Sequence, residues 1–146
     1  MNGDMRKEIL HHIHHAWRND PTTLACEMLF ETTTEVSKPN KVDEVSKLVP
    51  WARLTLRHTT NNQYTLGSQN GKRKYIQKGY VIVQLFGPKK SGVQVNDFMV
   101  NVLVGATRGK STDNVTFTKT EAREIGTDGS WYQTNVTIQF EYCGVE

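Results

Sequence analysis

Between Tyr75 and Phe86 the chain reads Tyr-Ile-Gln-Lys-Gly-Tyr-Val-Ile-Val-Gln-Leu-Phe, and Gly87-Pro88 follows at once. The apolar run Tyr80, Val81, Ile82, Val83, Leu85 and Phe86 is too continuous for a strand with one wet side. It predicts a central strand covered on both faces. Gly87 and Pro88 end it, because proline cannot donate to a sheet ladder and glycine frees the chain to turn. The rest of the chain must therefore provide flanking strands and a covering layer.

Two segments alternate strictly and supply flanking strands. After Pro50-Trp51, the residues Ala52, Leu54 and Leu56 face one way while Arg53, Thr55 and Arg57 face the other. Near the end, Tyr132, Val136, Ile138, Phe140 and Tyr142 alternate with Gln133, Asn135, Thr137, Gln139 and Glu141. Each pattern gives one core face and one polar face. Residues 115–125 and 131–143 form a predicted hairpin around Gly126-Thr127-Asp128-Gly129. A further strand is expected over residues 24–31, with Cys26, Met28 and Phe30 on one face.

Helical spacing marks two covering elements. From an Asp4 cap to about Arg18, the residues Ile9, Leu10, Ile13, Ala16 and Trp17 make one apolar stripe, and Asn19-Asp20-Pro21 stops it. From a Ser91 cap to about Thr107, the residues Val95, Phe98, Met99, Val102, Leu103 and Ala106 fall three and four apart, with Gly109 as the stop. Polar loops are expected over residues 32–47 and 58–74. The order of elements predicts an α+β fold: a mostly antiparallel sheet with two helices on one face and long polar loops.

With 146 residues the chain fits one domain, spanning residues 1–146. The net charge of +3 is too low for gripping nucleic acid by charge alone. Cys26 and Cys143 lie far apart and are expected as small buried or half-buried thiols, not a disulfide. Neither a signal peptide nor an apolar run long enough for a membrane span is legible, which points to a cytoplasm and to no membrane partner.

A search for catalytic chemistry assigns no catalytic residue. The sequence has no nucleophile elbow, dinucleotide-binding glycine pattern, Walker loop or Cys-x-x-Cys. Gly67-Ser68-Gln69-Asn70-Gly71-Lys72 lacks the spacing and the following helix of a phosphate loop. Glu27 with Glu31, and Glu121 with Glu124, sit beside no recognisable apolar pocket, so paired-acid catalysis is not expected. His11 and His15 project from one helix face and could share a divalent ion. No third ligand is near them in sequence, so no metal and no cofactor is assigned. The basic residues Lys72, Arg73, Lys74 and Lys78 gather at the start of the central strand, with Lys89 and Lys90 beyond its end. With few aromatics interleaved, they suit a charged channel or a protein contact better than a stacking surface for single strands.

Trp51-Ala52-Arg53-Leu54, then Arg73 to Pro88, the helix over residues 93–106, and the closing strand from Trp131 to Tyr142 come in a recognisable order. The sequence resembles the tail-terminator (minor tail protein U-like) proteins of long-tailed bacteriophages over most of its length. That resemblance implies a non-enzymatic virion protein of the tail or neck. Such a protein assembles with itself as a hexameric ring, caps the tail tube protein, halts polymerisation and presents a surface to the head-tail connector or stopper protein. It also implies that Lys72, Arg73, Lys74, Lys78, Arg53 and Arg57 contact partners or line a lumen through which DNA passes. Other neck roles (stopper, tail completion) and a small nucleic-acid-binding assembly module remain open from the residues alone.

Overall fold

The computed structural model describes residues 3–23, 26–30, 49–63, 74–91 and 93–145. Helix α1 spans Gly3–Asn19, followed by strands β1 (Glu27–Phe30), β2 (Trp51–Gln63) and β3 (Lys74–Pro88). A 3-10 turn at Lys89–Ser91 leads into helix α2 (Val93–Thr107), and β4 (Val115–Asp128) and β5 (Trp131–Val145) close the chain. The fold is α+β, with one five-stranded sheet in the order β1-β2-β3-β5-β4. Every pairing is antiparallel except β1 with β2. β3 is central, as its apolar run requires. Its chain crosses over through α2 to β4, and β5 returns between the two.

The β3–β5 ladder is unbroken from Lys74↔Val145 to Pro88↔Trp131. Strand side chains alternate between faces, so this register decides what each strand buries. Leu56, Val81 and Ile138 form one buried row, and Leu54, Val83 and Val136 the next. Both helices press on that face. Helix α1 contributes Met5, Ile9, Ile13 and Trp17, all within 1% of complete burial, at the four-residue spacing of a single stripe. Each such side chain contributes about 1.5–3 kcal/mol of transfer free energy. Trp17 also donates its indole N–H to Cys26 O at 2.8 Å, and Thr23 Oγ1 donates to Trp17 O at 2.6 Å. These bonds fix the path from α1 into β1.

Several sequence expectations are corrected. Helix α1 starts at Gly3, so Asp4 sits in the first turn and not before it. Within the strand expected over residues 24–31, β1 begins at Glu27 and Cys26 is a bend, with Thr23 N bonded to Asp20 O and Cys26 N to Thr23 O; residues 24, 25 and 31 lie outside the described residues. The first part of the loop expected over residues 58–74 is strand: β2 continues to Gln63 past a bulge at His58/Thr60, its backbone paired to β3 despite polar side chains, and residues 64–73 lie outside the described residues. The loop expected over residues 32–47 lies outside the described residues. The β4–β5 turn is the two-residue Gly129-Ser130, not the four residues from Gly126. Gly126 is a bulge with φ of 116°, a backbone that side-chain-bearing residues rarely adopt, and it lets β4 run on to Asp128. Gly109 does stop α2, at φ of 67°. Cys143 is exposed, while Cys26 is half-buried and its thiol is pushed up by burial; both are free.

Helix α2 is seated differently from its expected stripe. Phe98 is 47% exposed, and Asn96 is buried instead. The Asn96 amide donates to Tyr132 O at 2.9 Å and to Thr134 Oγ1 at 3.1 Å, with Leu85 O at 3.4 Å. One polar side chain thus docks the helix on β3 and β5 together. Thr107 repeats the device a helix length away, with its hydroxyl 2.7 Å from Thr120 Oγ1. A polar residue on the core side of a helix carries no periodic signal, which is why the apolar pattern selected Phe98.

The Asn96 contact depends on Gly87, because a Cβ there would fall on Asn96 Oδ1. Gly87→Ala is expected to displace the amide and destabilise the fold by about 1–3 kcal/mol, the cost of unmet buried hydrogen bonds. In Asn96→Ala that same Gly87→Ala change should cost much less, since the clash has gone. Urea midpoints of the four proteins check this. An equal cost of Gly87→Ala in both backgrounds would show that the two residues do not act together.

Candidate assembly surface

The sheet face away from the helices carries the side chains that the alternating patterns leave outside the main core. At one end, Trp51 stacks on Phe86 at 4.3 Å with Trp131 edge-on to Trp51 at 6.2 Å, and Leu29 packs beside them. This small second core receives Leu29, on the face of β1 opposite Met28. Its Trp51 Nε1 is buried with no hydrogen-bond acceptor among the described residues. Beyond the aromatics the face turns polar. β2 contributes Arg53, Thr55 and Arg57, β3 contributes Gln84, Ile82, Tyr80 and Lys78, and β5 contributes Gln133, Asn135, Thr137, Gln139 and Glu141. Tyr80 and Ile82 are half-buried, so β3 is fully covered on its helix face only.

The candidate residues separate on this frame. Arg53 is half-buried and donates from Nε to Gln84 Oε1 at 2.5 Å, its direct cross-strand partner. Arg57 is exposed, with one guanidinium nitrogen donating to Leu56 O at 3.1 Å. Lys78 is exposed and 3.4 Å from Glu141 on β5. A pair this exposed adds little stability. Lys72 and Arg73 lie outside the described residues, as does the side chain of Lys74. Arg53, Arg57 and Lys78 thus share one face through strand register, while Lys89 and Lys90 sit at the opposite end of β3.

Residues that the sequence reading passed over complete this face. Tyr80 was counted with the apolar run and Gln84 lies within it, and only register shows that they point away from the helices. On β4, Lys119 pairs with Glu121 at 2.8 Å, and both are exposed. Together with Arg123 they place charge along an edge strand, a pattern that discourages indiscriminate edge pairing. Glu121 and Glu124 are not an acid pair, because Glu124 instead bonds Tyr132; burial first, then the Glu124 and Asp97 charges, raises that phenol. A shallow groove of about 450 Å³ is lined by Lys78, Tyr80, Thr137, Gln139 and Glu141 among others.

The histidines of α1 are divided by helix geometry. His12 turns inward, with Nε2 2.7 Å from Ala106 O and the ring stacked on Phe117 at 5.2 Å. His14 lies edge-on to Phe30 at 5.4 Å. His11 and His15 are exposed, with centroids 5.9 Å apart. Near the start of α1, Glu8 accepts hydrogen bonds from Thr112 Oγ1, and from Asn114 N and Nδ2 at 3.0 Å each. That carboxylate pins α1 to the approach to β4. Among the described residues, no three His, Cys, Asp or Glu side chains converge on a metal position, and no helix is long and apolar enough to cross a membrane.

No family model matches the sequence, and no curated protein is similar to it. Among solved structures, one chain without a functional name superposes with a TM-score of 0.65 over 97% of this chain and 96% of its own. At 11% identity that likeness concerns the fold alone.

Acid should loosen α1 in two stages. Burial first, then the neighbouring Arg18 and His11 charges, lowers His14 from its ordinary 6.5. The folded state therefore binds fewer protons than the unfolded chain, and stability falls as pH drops below 6.5 toward the folded value. Burial raises Glu8, but hydrogen bonds from Thr112, Asn114 and Val115 outweigh it and hold the carboxyl below its ordinary 4.5. Its stabilisation is present above 4.5 and is lost as pH falls through the folded value. Melting temperature against pH is expected to show both stages. His14→Gln should shrink the first stage and Glu8→Gln the second; a first stage unchanged in His14→Gln would refute its assignment.

Proposed function

We infer that this chain is a structural protein of a tailed-phage virion. It forms a hexameric ring that caps the tail tube, stops its growth and presents the head-tail joining surface. The observation that carries this reading is the long, open sheet face. Its strand order, basic residues and closing aromatic strand coincide with the segments that resemble tail terminators. A ring needs a heterologous contact, in which one patch meets a different patch on the next copy. A broad polar face with few apolar anchors suits contacts that form on a tube and stay weak in solution. No catalytic role enters this reading. Arg53, Arg57 and Lys78 act as partner contacts, and Lys72, Arg73 and Lys74 belong to the same proposed contact or lumen set.

A nucleic-acid-binding assembly module is the second reading, favoured by the shared placement of Arg53, Arg57 and Lys78. Light scattering of the protein alone and with purified tail tubes, followed by negative-stain imaging, separates the two. The ring reading expects six-fold particles or capped tubes. Arg53→Glu/Arg57→Glu should abolish capping by about tenfold or more, as charge reversal at a contact does, with unchanged circular dichroism. A protein that stays monomeric with tubes and retards DNA with a steep salt dependence would replace the ring reading with the second one.

A further inference from the structure

The second half of α1 gathers positive groups on one side. His11, His14, His15 and Arg18 follow at spacings of three, one and three, so they share one helix face. An open groove of about 620 Å³ runs over them and is lined also by Asn19. Among the described residues no carboxylate lines it. The nearby acids are engaged or placed elsewhere. Glu8 accepts from Thr112 and Asn114, and Asp20 accepts from the amide and hydroxyl of Thr22. Asp113 lines the groove on the far side of His11 and His15, beside Lys7. On β1, Phe30 meets His14 with an apolar ring, while Glu27 shares the opposite strand face with Leu29. From α2 the contact goes to His12, through Ala106 O. Arg18 has no ion-pair partner among the described residues.

We propose that His11, His14, His15 and Arg18 form a site for a phosphate oxyanion, either free or as the phosphodiester of a nucleic acid. The planar guanidinium fork matches two oxygens of a phosphate, and each protonated imidazole adds charge-assisted N–H donors. His14 is lowered by burial first and then by the Arg18 and His11 charges, so it stands in their positive field. An anion among these groups reverses that repulsion. Its binding and the protonation of the imidazoles therefore favour each other. Carbonyls at a helix C-terminus oppose an anion, but two of them are covered here. Asn19 Nδ2 donates to His15 O at 2.7 Å, and Thr23 Oγ1 donates to Trp17 O at 2.6 Å. Imidazole ordinarily gains its proton between about pH 8 and pH 5. Affinity rises as pH falls through that range, and the bound anion offsets the acid loosening that His14 causes. The site lies in the helix layer, away from the open sheet face, and does not rest on the ring reading.

Calorimetric titration of the full chain at constant ionic strength tests the site with two probes, inorganic phosphate and a labelled oligothymidylate. The pH profile is taken with sulfate, a phosphate-shaped anion whose charge is constant over the range. Binding is expected to be at least about fivefold tighter near pH 6 than near pH 8. Arg18→Gln should weaken it by about tenfold, the loss of one charge-assisted hydrogen bond. His11→Gln and His15→Gln should flatten the pH profile. Lys119→Gln, which removes an equal charge on β4, should change nothing. Binding of inorganic phosphate assigns the site to the free anion; binding of the oligonucleotide alone assigns it to a nucleic-acid backbone. The proposal is overturned if neither probe binds, if affinity is independent of pH, or if Lys119→Gln weakens binding as much as Arg18→Gln does. It is overturned too if oligonucleotide binding survives Arg18→Gln but is lost in Arg53→Glu/Arg57→Glu, which would put the nucleic acid on the open sheet face instead.

Discussion

The antiparallel ladder between β3 and β5 sets the geometry of everything else. It joins two segments separated by a helix and another strand, and pairs fifteen positions without a bulge. A slip of one residue would turn Val81, Val83 and Leu85 to the open face and bring Tyr80, Ile82 and Gln84 under the helices. Neighbouring ladders can absorb irregularities because this one does not. β2 bulges at His58/Thr60 and β4 at two places, yet β2 keeps Ala52, Leu54 and Leu56 in the main core and β4 keeps Val115 and Phe117 there. Asn96 reads the same register from above, since its three acceptors lie on β3 and β5 and would not line up in any other pairing.

That register gives the protein two unlike faces. One is a conventional core of aliphatic rows and helix stripes. The other has an aromatic cluster at one end and polar side chains tied to one another, Arg53 to Gln84 across strands and Gln133 to Asn135 along β5 at 2.9 Å. Side chains held this way lose less freedom when a partner arrives, which lowers the entropic cost of association. The charges of β4 guard its edge against strand addition, leaving the open face as the broad surface for contact.

The strands and helices were largely legible in the sequence because their patterns repeat. The alternation of Ala52, Leu54 and Leu56, the closing strand from Trp131 and the Ile9–Ile13–Trp17 stripe each state a period that only one backbone satisfies. What failed to show lacked a period. Residues 58–63 are polar, and their strand character comes from pairing with β3. Asn96 is buried for its hydrogen bonds and Phe98 is exposed, an inversion that hydrophobicity alone reads backwards. The candidate surface was half legible: Arg53, Arg57, Thr137 and Gln139 declared their face by alternation, whereas Gln84 and Tyr80 were hidden inside an apolar run.

By itself, then, the sequence determined the element types, the central place of β3 and the polar character of one sheet face. Local periodicity is sufficient for each of these. Only the tertiary structure decided which distant residues meet. It brought Glu8 to Thr112 and Asn114 and set Gly87 under Asn96. These meetings depend on strand order and on where each helix comes to rest. Both are properties of the whole packed sheet, and no window of neighbouring residues encodes them.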